Sequence, residues 1–349
     1  RILISGYYGF QNLGDELILA ALLQELSCEK VKITVLSASG FNSFWQSISW
    51  PAAACPARFV NRSLPWKLIW EVLKTDCLLF GGGGLLQDVT SKWGILYYLF
   101  VLYLAKLLRK RIIIFAQGVG PIRSRFNRFL VSRILQMTSL LTVRDEPSMH
   151  ALRRMGVTVP CHVTADPVFL LANPGQVQTG TRSRPVWGVC LRPWQEENFW
   201  DILSRGLENL LRKYNIELVF IPFHRKPDCI LSRKLIKILG GRGKVLNWKY
   251  PGEIFSILAG VDLVIGMRYH SIILAALTGR PFLGILCDPK VEYLLESMGQ
   301  QGCRVEEIEE RAGSLWDNRK GFNERINNHI KRVRERAVFG FRLLKENIY

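Results

Sequence analysis

Val261-Asp262-Leu263-Val264-Ile265-Gly266-Met267-Arg268-Tyr269-His270 joins a strand-length apolar run to Gly-x-Arg-x-His. A run of this kind reads as a buried strand, and the residues that follow it are delivered to the strand's carboxyl end. In an open α/β sheet that end is where ligands bind. The next apolar run, Pro281 to Leu286, leads into Asp288-Pro289-Lys290. Two neighbouring strand ends carrying Arg268, His270 and Lys290 predict a pocket for a small, strongly anionic substrate. A helix starting near Ser271 would add its exposed N–H groups to that pocket.

Working outward, short apolar runs alternate with helix-length segments. Strands are expected at Ile2–Ser5, Val31–Leu36, Asp76–Phe80, Arg111–Ala116, Ser139–Val143 and His162–Ala165. A second series follows at Val186–Leu191, Glu217–Pro222, Val261–Ile265 and Pro281–Leu286. Alternation of this kind specifies parallel, doubly wound sheets. Residues 172–185 are polar and rich in turn formers, and read as a linker. The expected organisation is therefore α/β: one doubly wound domain over 1–171, a second over 186–318 facing it across a cleft, and a basic helical tail over 319–349.

The bulk numbers narrow the function. The 349 residues, 48% hydrophobic and 22% charged, suit two globular cores. The eight cysteines are scattered with no C-x-x-C pair, which argues against zinc or thioredoxin-type chemistry and for small core residues in a reducing compartment. The given chain opens directly into the strand-like Ile2–Ser5, so a cytoplasmic protein is expected. A net charge of +18 favours acidic partners. The aromatic-interleaved basic motifs of RNA-binding sheets are absent, and nucleic acid is not an expected partner. Arg319 to Glu346 holds nine Lys/Arg against three Glu. That tail is either a solvated helix face or a contact for an anionic membrane surface. Trp93 to Leu108, apolar around its circumference and followed by Arg109-Lys110-Arg111, is too short to span a bilayer. It reads as a helix buried under the sheet or as one lying in the membrane interface.

Further motifs sit at strand ends. Gly6, Gly9 and Gly14 punctuate the run from Ser5 to Glu16, without the Gly-x-Gly-x-x-Gly spacing of a dinucleotide site. Asp15 and Glu16 suit helix N-terminal positions, and would repel a phosphate. A neutral, hydroxyl-rich ligand fits better, with Tyr7, Tyr8 or Phe10 stacking on a sugar face and Asp15 accepting a hydroxyl proton. Gly81–Gly84, after a strand, exceed what a strand-to-helix turn requires and point to close ligand approach or to a mobile loop, and no P-loop Lys-Ser/Thr follows them. Gln117–Pro121 repeats the glycine pattern at the next strand end. Arg144 closes another strand and either grips a carboxylate or phosphate or pairs with Asp145 or Glu146. Arg192 and His224 fall at strand ends of the second half. No metal-ligand spacing is present.

Gly6-Tyr7-Tyr8-Gly9-Phe10 with Gly14-Asp15-Glu16, Gly81–Asp88, Gln117–Pro121, Arg144-Asp145-Glu146, Ala165-Asp166-Pro167, Gly266–His270 and Asp288–Val291 together resemble the polysaccharide pyruvyl transferases. The resemblance runs from residue 2 to about 300 and departs at Gln11, where a small residue such as Gly is expected. It implies a GT-B-like pair of Rossmann-like domains. The activity it implies is transfer of a pyruvyl group from phosphoenolpyruvate (PEP) to a sugar as a cyclic ketal. The expected acceptor is a lipid-linked or polymeric glycan, as in a 4,6-ketal on β-N-acetylmannosamine of a cell-wall precursor. Donor positions fall on Arg144, His270 and Lys290, joined by the Arg268 already placed at the same strand end, with His270 as general acid. Acceptor contacts fall on Tyr7, Tyr8, Phe10, Asn12, Asp15 and Gly83, with Asp15 as base. No metal or organic cofactor is expected, and the protein would be cytoplasmic or peripheral on the inner membrane face. A nucleotide-sugar glycosyltransferase and a non-catalytic membrane-associated glycan-binding protein are the competing readings.

Overall fold

A computed structural model describes residues 1–27, 31–38, 57–89, 92–171 and 182–348. It divides into two compact units, residues 1–171 with 334–349, and residues 172–333. The first unit holds β1 (Ile2–Ser5), β2 (Ile33–Ser37), β3 (Ala57–Asn61), β4 (Cys77–Leu86), β5 (Arg111–Val119), β6 (Leu140–Val143) and β7 (His162–Val163). They form one parallel sheet in the order β3-β2-β1-β4-β5-β6-β7. Its helices are α1 (Leu13–Leu26), α2 (Pro65–Lys74), α3 (Lys92–Leu107), α4 (Arg125–Leu135) and α5 (Glu146–Arg154).

The second unit holds β8 (Val186–Cys190), β9 (Glu217–Phe220), β10 (Lys244–Val245), β11 (Leu263–Gly266) and β12 (Phe282–Gly284), parallel in the order β10-β9-β8-β11-β12. Its helices are α6 (Phe199–Tyr214), α7 (Arg225–Ile238), α8 (Glu253–Ala259), α9 (Tyr269–Leu277), α10 (Pro289–Ser297) and α11 (Ile308–Asp317). The long α12 (Phe322–Ile348) starts in this unit and ends in the first.

Both sheets are the doubly wound kind that the alternating pattern predicts. The inner strands β1, β8 and β11 are buried at every position, because parallel strands covered on both faces have no solvent side. Strand order reverses between β1 and β4 in the first sheet and between β8 and β11 in the second. In such sheets the crevice for a ligand opens at the carboxyl ends of those strands.

Three expectations are corrected. Gly81–Gly84 lie inside β4 rather than in a loop after it, and Gly81, Gly82 and Gly83 are buried. The reason is close approach of α1: a Cβ on Gly81 would stand 2.7 Å from Leu22 Cδ1, and one on Gly82 would collide with Ile18. The Trp93–Leu108 helix is not wholly buried under the sheet. It sends Ile95, Leu99 and Leu102 into the core, while Trp93, Phe100 and Tyr103 face solvent. The expected basic tail is helical and divides between the units. The boundary falls after Val333, within α12, whose apolar stripe is used within the protein: Phe322 lies 5.2 Å from Phe282, and Phe341 lies 4.8 Å from Phe115.

Of the expected linker, residues 172–181 lie outside the described residues, as do Cys28 and Cys55. Burial pushes the Cys77, Cys287 and Cys303 thiols up to about 12, so they are inert core groups. Among the described residues no helix is long and apolar enough to cross a membrane.

Candidate functional site

In the first unit the chain leaves β1 through Gly6–Asn12 and enters α1 at Leu13. Tyr7 and Phe10 stack with ring centroids 4.1 Å apart and planes 8° apart, both partly exposed. Arg62, just past β3, lies over Tyr97 at 4.0 Å, and its Nη1 donates to the Gly6 carbonyl and the Tyr98 hydroxyl, each at 3.0 Å. Burial, with the Asp15 charge adding and Arg62 opposing, raises the Tyr7 hydroxyl above its ordinary value, so it stays a neutral donor. Tyr8 does not join this platform as expected. It is buried, donates to the Gly81 carbonyl at 3.2 Å, and fills the space a side chain at Gly6 would need.

Asp15 sits in the first turn of α1, and its Oδ2 accepts from Asn12 Nδ2 at 2.5 Å. Glu16 Oε1 accepts from Gly9 N at 2.8 Å, closing the loop onto its own helix. Gln11 has φ 58°, the left-handed region that glycine enters most easily, which is a physical reason for the expected small residue there.

Gly83 completes the site. Its φ is +82°, and a Cβ there would stand 2.7 Å from Asp15 Oδ1. Its carbonyl accepts from the buried Gln117 Nε2 at 2.6 Å. Gln117 is aimed by a register shift in β5, where Ala116 turns to φ 46° and its N–H donates to Thr142 Oγ1 at 2.7 Å. Gly83→Ala is expected to cost about 1–3 kcal/mol in denaturant unfolding, from the positive φ and the displaced Asp15.

Asp88 ties this end of β4 to the start of α4. It accepts from Arg123 N at 2.7 Å, Ser124 N at 2.9 Å and Asn127 Nδ2 at 3.0 Å. Burial pushes its carboxyl up, but those donors and the Arg123 charge outweigh it and hold it below the usual carboxylate range. A depressed carboxylate stabilises the fold above its unfolded value, about 3.9, and that stability is lost as pH falls through the folded value. Asp88→Asn is therefore expected to lower the melting temperature at neutral pH and to flatten the acid limb of stability below about pH 4.

Arg144 is not an open clamp. Its side chain is 3% exposed, with Nη1 3.2 Å from Asp166 Oδ2 and Nε 3.4 Å from Asp145 Oδ2. A Cβ on Gly118 would stand 2.8 Å from Arg144 Nε, so the glycine makes room for the guanidinium. Asp166 also accepts from Val168 N at 3.1 Å. The Arg144, Gln117–Pro121 and Ala165–Pro167 motifs thus interlock as one buried ion pair beneath the strand ends.

In the second unit the cationic residues gather at the expected strand ends. Gly266 is paired to Cys190 on one side and Gly284 on the other. Two residues beyond Cys190 and Gly266 stand Arg192 and Arg268. Arg268 caps the start of α9, and His270 lies in that helix's first turn, its ring 5.2 Å from Tyr269. Past β12, Asp288 caps α10 by accepting from Lys290 N at 3.1 Å, and pairs with Arg192 Nη1 at 2.9 Å. Burial pushes the Asp288 carboxyl up, but Lys290 and Arg192 hold it below the usual range. Arg268 is bound by Asp228, which is fully buried and also accepts from Phe223 N at 3.1 Å and His224 N at 2.7 Å. His224 is the N-cap of α7, half-buried at the end of β9. The arrangement gives three cationic side chains and a histidine around two helix N-termini, which suits an anion with more than one charged group.

Two parallel, doubly wound units with ligand-type strand ends are the architecture of GT-B-like transferases and their relatives. The family model for polysaccharide pyruvyl transferase matches residues 12–289, and the chain belongs to that family. No curated protein matches it in sequence. Solved structures share the fold at low identity. Anabaena Alr3699/HepE in complex with UDP and glucose has TM-score 0.69 at 14% identity, over 99% of this chain and 98% of that one. A Rickettsia africae glycosyltransferase has TM-score 0.67 at 12% identity, over 99% and 97%. The Neisseria meningitidis UDP-GlcNAc 2-epimerase bound to UDP-GlcNAc has TM-score 0.63 at 12% identity, over 100% and 99%.

Sequence reading did not assign functions to Arg62, Asp228 or Gln117. Arg62 follows a mostly half-buried edge strand with no apolar run to flag it. Asp228 lies within a helix, 40 positions before its partner Arg268.

Proposed function

We propose that this pyruvyl transferase takes its pyruvyl group from PEP and forms a cyclic ketal on a glycan. The observation that supports the reading is the convergence of Arg192, Arg268, His270 and Lys290 at the β8/β11/β12 ends. PEP carries a carboxylate and a phosphate, and both need cationic partners. In the reaction the PEP methylene carbon gains a proton, an acceptor hydroxyl oxygen bonds to C2, and the bond from C2 to the phosphate oxygen breaks. A second hydroxyl closes the ring. Of the two hydroxyl protons released, one balances the new methyl group and the other leaves on phosphate.

His270 supplies the proton to carbon. Lys290, Arg268 and Arg192 hold the acid and the departing phosphate. Asp15, held by Asn12 and given room by Gly83, takes the acceptor proton, and the Tyr7–Phe10 pair carries the sugar face. Arg144 fits a positioning part better than direct contact, since two carboxylates hold its guanidinium. The reaction as written needs no metal or organic cofactor. The acceptor favoured by the family resemblance is a lipid-linked cell-wall precursor bearing β-N-acetylmannosamine, pyruvylated across its 4- and 6-hydroxyls.

The test is phosphate release from PEP with candidate glycan acceptors, run beside UDP-glucose and UDP-GlcNAc, which HepE and epimerase structures hold. Acceptor-dependent phosphate release from PEP supports the reading. Turnover of a UDP-sugar with none of PEP would replace it with glycosyl transfer. Lys290→Met is expected to raise the KM for PEP about tenfold or more with a smaller change in kcat, from loss of one charge-assisted contact.

A further inference from the structure

Helices α2, α3 and α4 of the first unit lie side by side, with α3 packed against both others. Each buries one stripe and presents a second apolar stripe to solvent. On α2 the outward residues are Trp66, Ile69, Trp70 and Leu73, spaced as one helix face, while Leu68 and Val72 enter the core. On α3 the outward residues Trp93, Phe100, Tyr103 and Leu107 recur on one side, and α4 adds Phe126 and Phe129. Exposure reaches 80% at Trp93, 66% at Trp66 and 65% at Leu107. Single exposed apolar residues are ordinary; aligned stripes on three adjacent helices mark a contact surface.

The charges around the stripes are of one sign. Lys67 and Lys74 flank them on α2, Lys106 and Arg109 at the end of α3, and Arg125 and Arg128 on α4, all exposed. The one acid of α2, Glu71, is buried and paired with Arg58, and α3 and α4 contain none. Lys74 folds over Trp70 at 4.4 Å, and Arg133 over Phe129 at 5.3 Å, so cations and aromatics share the same surface. Tryptophan and tyrosine favour the depth of lipid headgroups, and lysine and arginine bind the phosphates beside them. A second copy of this face would bring like charges together in a chain of net charge +18, which disfavours self-association there.

We propose that the outward face of α2, α3 and α4 docks on an anionic phospholipid bilayer, with its aromatic side chains at headgroup depth and the flanking cations on lipid phosphates. The contact lies on these helices rather than on the tail, because the apolar stripe of α12 is buried against the protein itself. The inference does not rest on pyruvyl transfer, and its test involves no turnover, so either can fail without the other.

The experiment is flotation of the full chain with vesicles of phosphatidylglycerol and phosphatidylcholine, beside vesicles of phosphatidylcholine alone. The protein is expected to float with the anionic vesicles, less so as salt rises, with a blue shift of tryptophan emission. Trp66→Asp with Trp93→Asp, and separately Lys67→Glu with Arg128→Glu, are each expected to weaken binding about tenfold or more. These side chains are exposed, so unchanged circular dichroism and melting would confirm that the variants fold. Lys331→Glu with Arg334→Glu, on α12, is expected to bind as the parent does. No flotation of the parent chain, or loss of binding only in the α12 variant, overturns the proposal. So does a dimer that dissociates in the Asp variant while vesicles are ignored.

Discussion

His270→Gln is expected to lower kcat for ketal formation from PEP by about 10²–10⁴-fold, with the KM for PEP changed roughly threefold or less. The split follows from the two tasks of the site. In the proposed reaction, binding the carboxylate and phosphate of PEP is shared among Arg192, Arg268, Lys290 and the N–H groups that open α9 and α10, so losing one contact leaves most of it. Delivering the proton to carbon is the part proposed for His270 alone, which lies in the first turn of α9 with its ring edge-on against Tyr269, centroids 5.2 Å apart. Glutamine keeps a similar length and a hydrogen-bonding end but has no proton to give. A variant with parental kcat, or one whose whole loss is in KM, would assign His270 to binding and leave the acid to be found elsewhere.

The parts of this molecule that were legible in its sequence share a physical reason. Inner strands such as β1, β8 and β11 are covered on both faces, so they appear as unbroken apolar runs, and whatever follows them is at a strand's carboxyl end. That is why Arg268 and His270, which follow β11, could be placed at a strand's carboxyl end; Lys290 follows β12, an edge strand whose three positions are also buried. A more exposed edge strand behaves otherwise. Ala57–Asn61 has one buried position among five and gives no such run, so Arg62, which follows it, went unassigned.

The glycine run misleads for a different reason. Glycines usually mark turns, but Gly81–Gly83 are glycines because α1, about sixty residues earlier in the chain, leans on the strand through Ile18 and Leu22. Tyr8 belongs to the same contact: it looks like a ligand platform and is the plug over Gly6 and Gly81. Ion pairs are the least legible of all. Arg144 has Asp145 beside it in sequence, yet also meets Asp166, 22 positions on, and no local pattern announces that choice.

Asp228→Ala should be the most damaging single change to stability in the second unit, about 3–5 kcal/mol by denaturant unfolding. The carboxylate is fully buried and carries three duties: it holds both nitrogens Nε and Nη2 of Arg268, and it accepts from the N–H groups of Phe223 and His224. Removing it leaves a partly buried guanidinium without its counter-charge and two backbone donors without their acceptor, each costly in a low-dielectric setting. Asp228→Asn, whose amide oxygen can stand where Oδ2 accepts from both backbone N–H groups but which carries no charge, should fall between. In the double variant with Arg268→Met no uncompensated cation remains, so part of the loss should return; simple addition of the two single costs would deny the coupling. The same series separates two roles for Arg268. If Arg268→Met destabilises the unit and also raises the KM for PEP, the guanidinium touches the donor while Asp228 aims it. If stability falls and the KM stays put, Arg268 serves to hold the start of α9 and thereby His270, and the grip on the anion belongs to Lys290 and Arg192.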